Sequence, residues 1–385
     1  FFFKQKTAYE ISTRDWSSDV CSSDLPTAKQ TIDEAKALNV GIKILTGDGP
    51  EVAGSVGYAI GLIEDPTDVC TGKDLDGMSD DEKKKAVFAG SVFARVSPKQ
   101  KFEIIRMLQE RHVVGFLGEG INDAPALKLA NVGIVVEGAS DIAREAADVV
   151  LLRKNLGTVV EGIKEGRIIF SNILKYLRIT LTSNFGNFYS VAVASLFLPF
   201  VPLLPAQILL IDLLSDFPML AIATDSVDKE DLESPRKYNV RDIVLVGTIL
   251  GAVSSLFDFV IFGTYAHVSP QTLQTAWFFL SAFTEVVLIF SLRSKHSFFQ
   301  ASRPATLLTV LAMLMIGIVS VLPFVPFTRE AFSFIKPSFS MLPFIIFITV
   351  AYFFSTEAVK RLFYRHIRSL DPRTPPQKGL FSHKA

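Results

Sequence analysis

Cysteine is almost absent from this chain of 385 residues, with only Cys21 and Cys70 present. Two cysteines cannot build a disulfide framework, so a stapled fold is excluded and a head facing a reducing cytosol is compatible. An excess of either charge is absent too: Lys plus Arg number 39, Asp plus Glu number 39, and the formal charge is zero. Nothing in that balance points to nucleic acid or to a general attraction to anionic surfaces. What the chain has is apolar bulk, with 49% hydrophobic residues and 33 phenylalanines. These are unevenly spread. Up to about Asn155 the chain reads as a soluble protein, whereas from Ile168 onward apolar stretches of spanning length alternate with short charged connections. That alternation is a membrane signature.

The first residues stand apart. Phe1–Leu25 is a Phe run followed by a polar stretch with neither helical nor strand period. It reads as a translated sequencing adapter, an artefactual leader to be set aside as a tag would be, and Cys21 goes with it. On that reading the protein itself starts near Pro26, in mid-domain.

Residues 26–155 alternate helix and strand patterns. Helices are expected at Thr27–Leu38, Glu51–Leu62, Lys99–Glu110, Ala124–Leu129 and Ile142–Ala147. Strands are expected at Val40–Leu45, Val87–Ala94, Val113–Leu117, Val132–Val136 and Val149–Leu152, and Pro66–Lys85 reads as a polar surface excursion. The alternation implies a parallel, Rossmann-like sheet with helices on both faces. In such a sheet the chemistry sits in loops at the C-terminal strand ends.

Three of those loops carry suitable groups. Thr46-Gly47-Asp48 offers a hydroxyl and backbone N–H groups at a helix start, which suit a phosphoryl oxygen, although an ordinary Gly/Asp turn has the same residues. Ser97-Pro98-Lys99-Gln100-Lys101 puts lysine in the first turn of a helix, where the dipole is already positive. A nearby anion explains such a lysine; so does simple solvation. Gly118-Glu119-Gly120-Ile121-Asn122-Asp123-Ala124-Pro125 packs two carboxylates, an amide and two glycines between strand and helix. Mg²⁺ favours one or two carboxylates together with phosphate and water, so this loop is a candidate for it.

In this order the three loops resemble the phosphorylation domain of P-type ATPases, within the haloacid-dehalogenase-like superfamily. The family pattern contains Thr-Gly-Asp, Pro-x-x-Lys and Gly-Asp-Gly-x-Asn-Asp-x-Pro-Ala-Leu. The resemblance assigns Thr46 and Gly47 to phosphoryl contact, Lys101 to neutralising the transferring group, and Asn122 and Asp123 to the Mg²⁺ side. Glu119 stands where the family has Asp, keeping the carboxylate but reaching one methylene further. The Asp-Lys-Thr-Gly-Thr segment that carries the phosphorylated Asp does not occur, nor does the actuator's Thr-Gly-Glu. The resemblance therefore implies the C-terminal part of a pump that uses ATP, with the rest of that pump as its partner. On this reading the chain is inactive alone.

Leu156–Arg178 is charged and helical, a stalk. Spans are expected at about Ile179–Leu198, Leu204–Thr224, Ile243–Tyr265, Thr275–Leu292, Leu307–Val325 and Met341–Phe363, each near the ~20 residues that cross a bilayer. The expected divisions are thus 26–155, a stalk 156–178, six membrane helices in 179–364, and a tail 365–385. Lys and Arg gather in Lys229–Arg241, Arg293–Arg303 and Lys360–Arg373, which puts the soluble half and both ends in the cytoplasm.

Polar residues inside the spans carry the functional signal. Asn184 and Asn187 share a face of the first span, and Asp212, Ser215 and Asp216 share a face of the second. Two intramembrane carboxylates mark an ion path. Pro218 withholds an N–H from the Leu214 carbonyl, adding an oxygen. An all-oxygen set suits a hard cation; a purely structural hydrogen-bonding cluster is the alternative. Asp258 and Glu285 are weaker candidates, either packing groups or the lining of an access route. Thr182-Ser183-Asn184-Phe185-Gly186-Asn187 and Ser254-Ser255-Leu256-Phe257-Asp258 resemble the magnesium-transporting branch, although Asp212 sits where that branch more often has an amide. The resemblance implies a prokaryotic plasma-membrane pump with Mg²⁺ as cargo. H⁺ or Ca²⁺ as cargo, a membrane-tethered phosphatase-like hydrolase, and a non-catalytic remnant are the other readings.

Overall fold

A computed structural model of the protein describes residues 2–3, 18–152, 155–233 and 239–370. Most of the adapter-like leader, part of the 229–241 connection and the tail from residue 371 lie outside the described residues. The chain divides into two compact units, Phe1–Glu165 and Gly166–Ala385.

The first unit is built on a parallel sheet of seven strands, ordered β3-β4-β2-β1-β5-β6-β7. They are β1 (Phe2–Phe3), β2 (Lys43–Leu45), β3 (Cys70–Thr71), β4 (Val92–Ala94), β5 (Gly115–Leu117), β6 (Val132–Val136) and β7 (Val149–Leu151). Alternating strand residues point to opposite faces. Leu45, Phe93, Phe116 and Val135 enter one core with Leu75, Val87, Ile104, Ile105 and Leu127. Their neighbours Ile44, Val92 and Ala94 enter the other with Ile32, Ala53, Ile60 and Val160. Helices therefore cover both faces: α1 (Ser18–Ala37), α2 (Pro50–Ala59), α3 (Gly72–Gly77), α4 (Asp80–Ala89), α5 (Pro98–Gln109), α6 (Ala124–Leu129) and α7 (Asp141–Ala146).

Two expectations change. The Pro66–Lys85 excursion contains β3, α3 and the start of α4, and Val87–Ala89 are helical, so the strand is confined to Val92–Ala94. The signal was local. Thr71 with Asp74, and Ser79 with Glu82, form capping boxes that start the two helices. Leu75 and Val87 then anchor those helices in the core. The other change concerns the leader. Phe2–Phe3 pair in parallel with Lys43–Ile44 and with Phe116, taking the central sheet position, and Ser18–Leu25 belong to α1. The sequence reading gave these residues no element.

The second unit is helical. Its helices are α8 (Leu156–Phe197, beginning before the division), α9 (Pro205–Ala221), α10 (Lys229–Glu233), α11 (Val240–Tyr265), α12 (Pro270–Leu292), α13 (Thr306–Val321), α14 (Pro326–Ala331) and α15 (Met341–Leu370). Stalk and first span are one uninterrupted helix, α8, which has no internal proline and stops just before Pro199. Five helical segments are long and apolar enough to cross a membrane: Pro205–Thr224, Val240–Tyr265, Pro270–Leu292, Thr306–Phe324 and Met341–Arg365. The C-terminal half of α8 is not among them, its hydropathy being lowered by Ser183, Asn184 and Asn187.

α12 is central, with Trp277, Phe278, Phe279 and Leu280 at the heart of one core and Leu288, Ile289 and Leu292 in the next. α8 and α11 cross at small residues. A Cβ on Gly251 would sit 2.9 Å from the Gly186 nitrogen, the close approach that small residues allow between membrane helices. Just past the Pro205–Thr224 segment, Asp225 gathers several connections. It accepts from Lys175 Nζ (2.7 Å), Arg293 Nε (3.1 Å), Arg293 Nη2 (2.9 Å) and the Ala305 N–H (3.1 Å).

Candidate functional site

In the first unit the sheet switches direction at β1: the chain builds outward through β2 on one side and through β5 on the other. A crevice at such a switch point, outside the C-terminal strand ends, is where ligands bind in open parallel sheets. The loops after β2 and β5 flank it. They are Thr46-Gly47-Asp48 and Gly118–Asp123, two of the three loops singled out in the sequence.

Thr46 is buried, its N–H bonded to the Phe93 carbonyl (2.9 Å) and its carbonyl accepting from Val96 N–H (3.0 Å). Its hydroxyl donates to Asp48 Oδ2 (2.8 Å) and accepts from the Asp48 N–H (3.1 Å), which closes the turn. Gly47 is exposed at the tip. The third loop starts α5. Ser97 caps it reciprocally with Gln100, and Pro98 occupies the first turn. Gln100 Nε2 also donates to the Gly72 carbonyl (2.8 Å), tying α3 to this cap.

That cap fixes Lys101 one turn in, and Lys101 is buried. The anion that a first-turn lysine calls for is Asp123: Lys101 Nζ lies 2.9 Å from Asp123 Oδ1, and both side chains are shielded from solvent. Asp123 Oδ2 accepts from the Gly120 N–H (3.3 Å), closing the loop on itself. Gly118 permits this fold-over, since a Cβ there would lie 2.9 Å from the Asp123 Cβ. The Glu119 carbonyl accepts from Ser140 N–H (3.0 Å), and its carboxylate lies at a half-buried position beside the loop. Asn122 is exposed.

The structure thus brings Lys101 and Asp123 into direct contact and sets Thr46 and Glu119 on strand ends either side of β1. Among the described residues no group of three or more His, Cys, Asp or Glu assembles a metal site on its own. Mg²⁺ beside a phosphoryl group needs only one or two protein carboxylates, so the all-oxygen donor set of Glu119 and Asp123 fits that ion. The strand between the loops brings no nucleophile: after Phe3 the sequence reads Lys4-Gln5-Lys6-Thr7, with no carboxylate before Glu10.

In the second unit three helices converge. Ser183 Oγ of α8 lies 3.3 Å from Glu285 Oε1 of α12, and Ser281 Oγ of α12 lies 3.5 Å from Asn187 Oδ1 of α8. Ser215 of α9 also bonds Glu285, and Asp212 and Asp216 are within electrostatic reach of it. Ser215 Oγ also lies 3.2 Å from the Asp212 carbonyl, and Pro218 lies inside α9. Glu285, a weak candidate from sequence, is therefore where the three helices meet. Its spacing to Ser281 on α12 (i, i+4) was the available signal. Asn184, Asp212 and Asp216 lie at exposed positions of this chain. Asp258 lies elsewhere, wholly buried between α8, α11 and α12.

Comparison with known proteins agrees with both halves. Residues 4–131 match the haloacid dehalogenase-like hydrolase family, and residues 200–362 match the family described as cation transporting ATPase, C-terminus. The chain is 41% identical over 338 residues to a magnesium-transporting ATPase, P-type 1, of Salmonella typhimurium, covering 86% of this chain and 37% of that protein. It is 40% identical over 341 residues to the protein of the same name from Escherichia coli, with the same coverage. To a calcium-transporting ATPase of Bacillus subtilis it is 30% identical over 297 residues, covering 73% of this chain and 33% of that one. The chain thus spans little more than a third of the length of the curated relatives it matches.

Proposed function

Because this chain belongs to the cation-transporting P-type ATPases, we propose that it is the C-terminal part of a pump that spends ATP to move Mg²⁺ across a membrane. The buried Lys101–Asp123 pair carries the reading. An ammonium fixed at the switch-point edge, with a hydroxyl and backbone N–H groups on the neighbouring strand end, is a preorganised receiver for a phosphoryl group.

In this reading Thr46 and Gly47 hold phosphoryl oxygens, Asp48 orders their turn, and Lys101 offsets charge on the transferring group. Asp123 orients Lys101, and Glu119 with Asp123 holds Mg²⁺, with Asn122 beside them. Bound there, Mg²⁺ would neutralise phosphate charge. No Asp-Lys-Thr-Gly-Thr occurs in these residues, so in this reading the acceptor aspartate is supplied by another part of the pump and these residues alone form no phosphoenzyme.

The cargo site is formed by Asn184, Asn187, Asp212, Ser215 and Asp216, and Glu285 joins it. Carboxylates on a membrane-spanning helix do not face lipid. The exposed positions of Asn184, Asp212 and Asp216 therefore favour cover by the remaining helices of the pump. The C-terminal half of α8 is a sixth crossing, its polar residues turned to the ion path. Six crossings with this Lys/Arg distribution favour a cytoplasmic soluble unit and cytoplasmic chain ends, and the bacterial relatives favour a prokaryotic cell. Mg²⁺ rather than Ca²⁺ or H⁺ is favoured by the relatives' names.

The test is a pump completed with the N-terminal part of a magnesium-transporting relative. Mg²⁺-stimulated ATP hydrolysis with uptake into vesicles is expected, lost in Asp216→Asn. Unchanged uptake in that variant would refute the transport reading in favour of a tethered hydrolase.

A further inference from the structure

Asp258 belongs to neither site above. It sits on α11, 2% exposed, and is held from two sides. Trp277 Nε1 of α12 donates to Oδ1 at 2.9 Å. Ser190 Oγ of α8 lies 2.5 Å from Oδ2. Among the described residues no Lys, Arg or His forms an ion pair with it. The surroundings are apolar: Ala194, Ile261, Phe262 and Trp277 belong to one packed core, with Trp277 edge-on to Phe262 at 4.8 Å.

The titratable groups facing this region are few. Tyr352 of α15 is within electrostatic reach of both Asp258 and Glu285 of α12. On α8, Tyr189 turns away to stack on Phe185. α11 itself carries Arg241 and Asp242 at its start and Tyr265 at its end. No cation among these faces the carboxyl.

An ionised carboxylate in such a place lacks a counter-charge, and an uncompensated buried charge costs several kcal/mol. Its two oxygens are also unequal. Trp277 can only donate, so Oδ1 must accept; Ser190 can donate or accept, so Oδ2 is free to carry a hydrogen. That asymmetry matches a carboxylic acid, with a carbonyl oxygen on the indole side and an O–H on the serine side. We propose that Asp258 is a proton-binding site: it bears a proton in this conformation and joins α8, α11 and α12 through it.

The location gives the site a consequence. Ser190 is one turn from Asn187 on α8, and Trp277 is one turn from Ser281 on α12. Those are the partners that link the same two helices at the cargo site. Any movement that parts α8 from α12 breaks both links, and water admitted between them would let the proton leave. The site stands whether or not the chain is a pump.

Infrared spectroscopy of the chain in lipid vesicles tests it. At neutral pH the wild type should show the C=O stretching band of a protonated, hydrogen-bonded carboxyl, and Asp258→Asn should lack it. Trp277→Phe keeps the acid but removes the donor on Oδ1, so the same band should move to higher frequency. If Asp258→Asn fails to fold, the Trp277→Phe shift decides. A wild type minus Asp258→Asn difference containing only carboxylate bands would overturn the proposal, as would a Trp277→Phe spectrum with no shifted C=O band.

Discussion

Lys101 and Asp123 come from different loops, yet they meet at 2.9 Å with both side chains buried. The pair joins the cap of α5 to the loop after β5, so position and charge are set together. Removing one partner leaves the other as an uncompensated buried charge, which typically costs ~3–5 kcal/mol. Lys101→Met and Asp123→Ala should each lower the denaturant midpoint of the first unit's unfolding, and the double variant should cost less than the sum. In a completed pump, Lys101→Met should also slow ATP hydrolysis by ~10²-fold or more, as loss of a preorganised charge stabiliser does.

Asp225 supports a second prediction. It neutralises Lys175 and receives Arg293 through two nitrogens. Asp225→Asn leaves two buried cations with one neutral acceptor and should destabilise the second unit by several kcal/mol. Arg293→Lys keeps the charge but loses the forked geometry, so it should recover only part of the stability. Thermal unfolding in detergent reads both.

Lys43 gives a pH signature. Burial pushes its ammonium down to about 8, although Nζ donates to the Phe88 carbonyl at 3.2 Å. Between about pH 8 and the ordinary lysine value of roughly 10.4, the unfolded chain binds more protons than the folded one. Stability should therefore rise with pH across that window. Lys43→Met should remove the rise, and the slope of unfolding free energy against pH checks it.

The α8–α11 crossing predicts a steric effect. Gly251→Leu places a branched side chain where a bare Cβ already meets the Gly186 nitrogen at 2.9 Å. Helix separation is forced, and overpacking of this kind costs about 1–3 kcal/mol or more. Gly251→Ala should show a smaller loss in the same thermal assay, whereas Gly263→Ala, with nothing within 4 Å, should be neutral.

Much of the architecture was legible because its signals are local. Strand alternation at Ile44–Leu45 and Val92–Ala94, the Ser97–Gln100 cap and long apolar runs such as Val240–Tyr265 are written in adjacent residues. The helices of 72–89 were overlooked because their polar surface resembles a loop; of their apolar side chains only Leu75 and Val87 are fully buried, with Ala86 and Phe88 partly so. The Lys101–Asp123 contact was half legible. The lysine's unfavourable dipole position announced an anion, but which one depends on how two loops fold together. Glu285 and Asp258 were not separable in sequence. Each is one acid in an apolar run, and only the packing gives one three polar helices and the other a hydrophobic enclosure.

α12 differs from every other crossing in being surrounded. Of its most apolar window 78% is buried inside the bundle, against 28% for the corresponding windows of α13 and α15. A helix so largely enclosed cannot tilt or turn without disturbing its neighbours, because packed interiors resist deformation. It is therefore the fixed post of this half of the molecule. Among the other crossings α9, with Asp212 and Asp216, keeps a face open in this chain. The residues proposed for the cargo are divided between that enclosed helix, which carries Glu285, and the less enclosed α8 and α9, which carry the rest, the arrangement a site needs if it is to open and close without being taken apart.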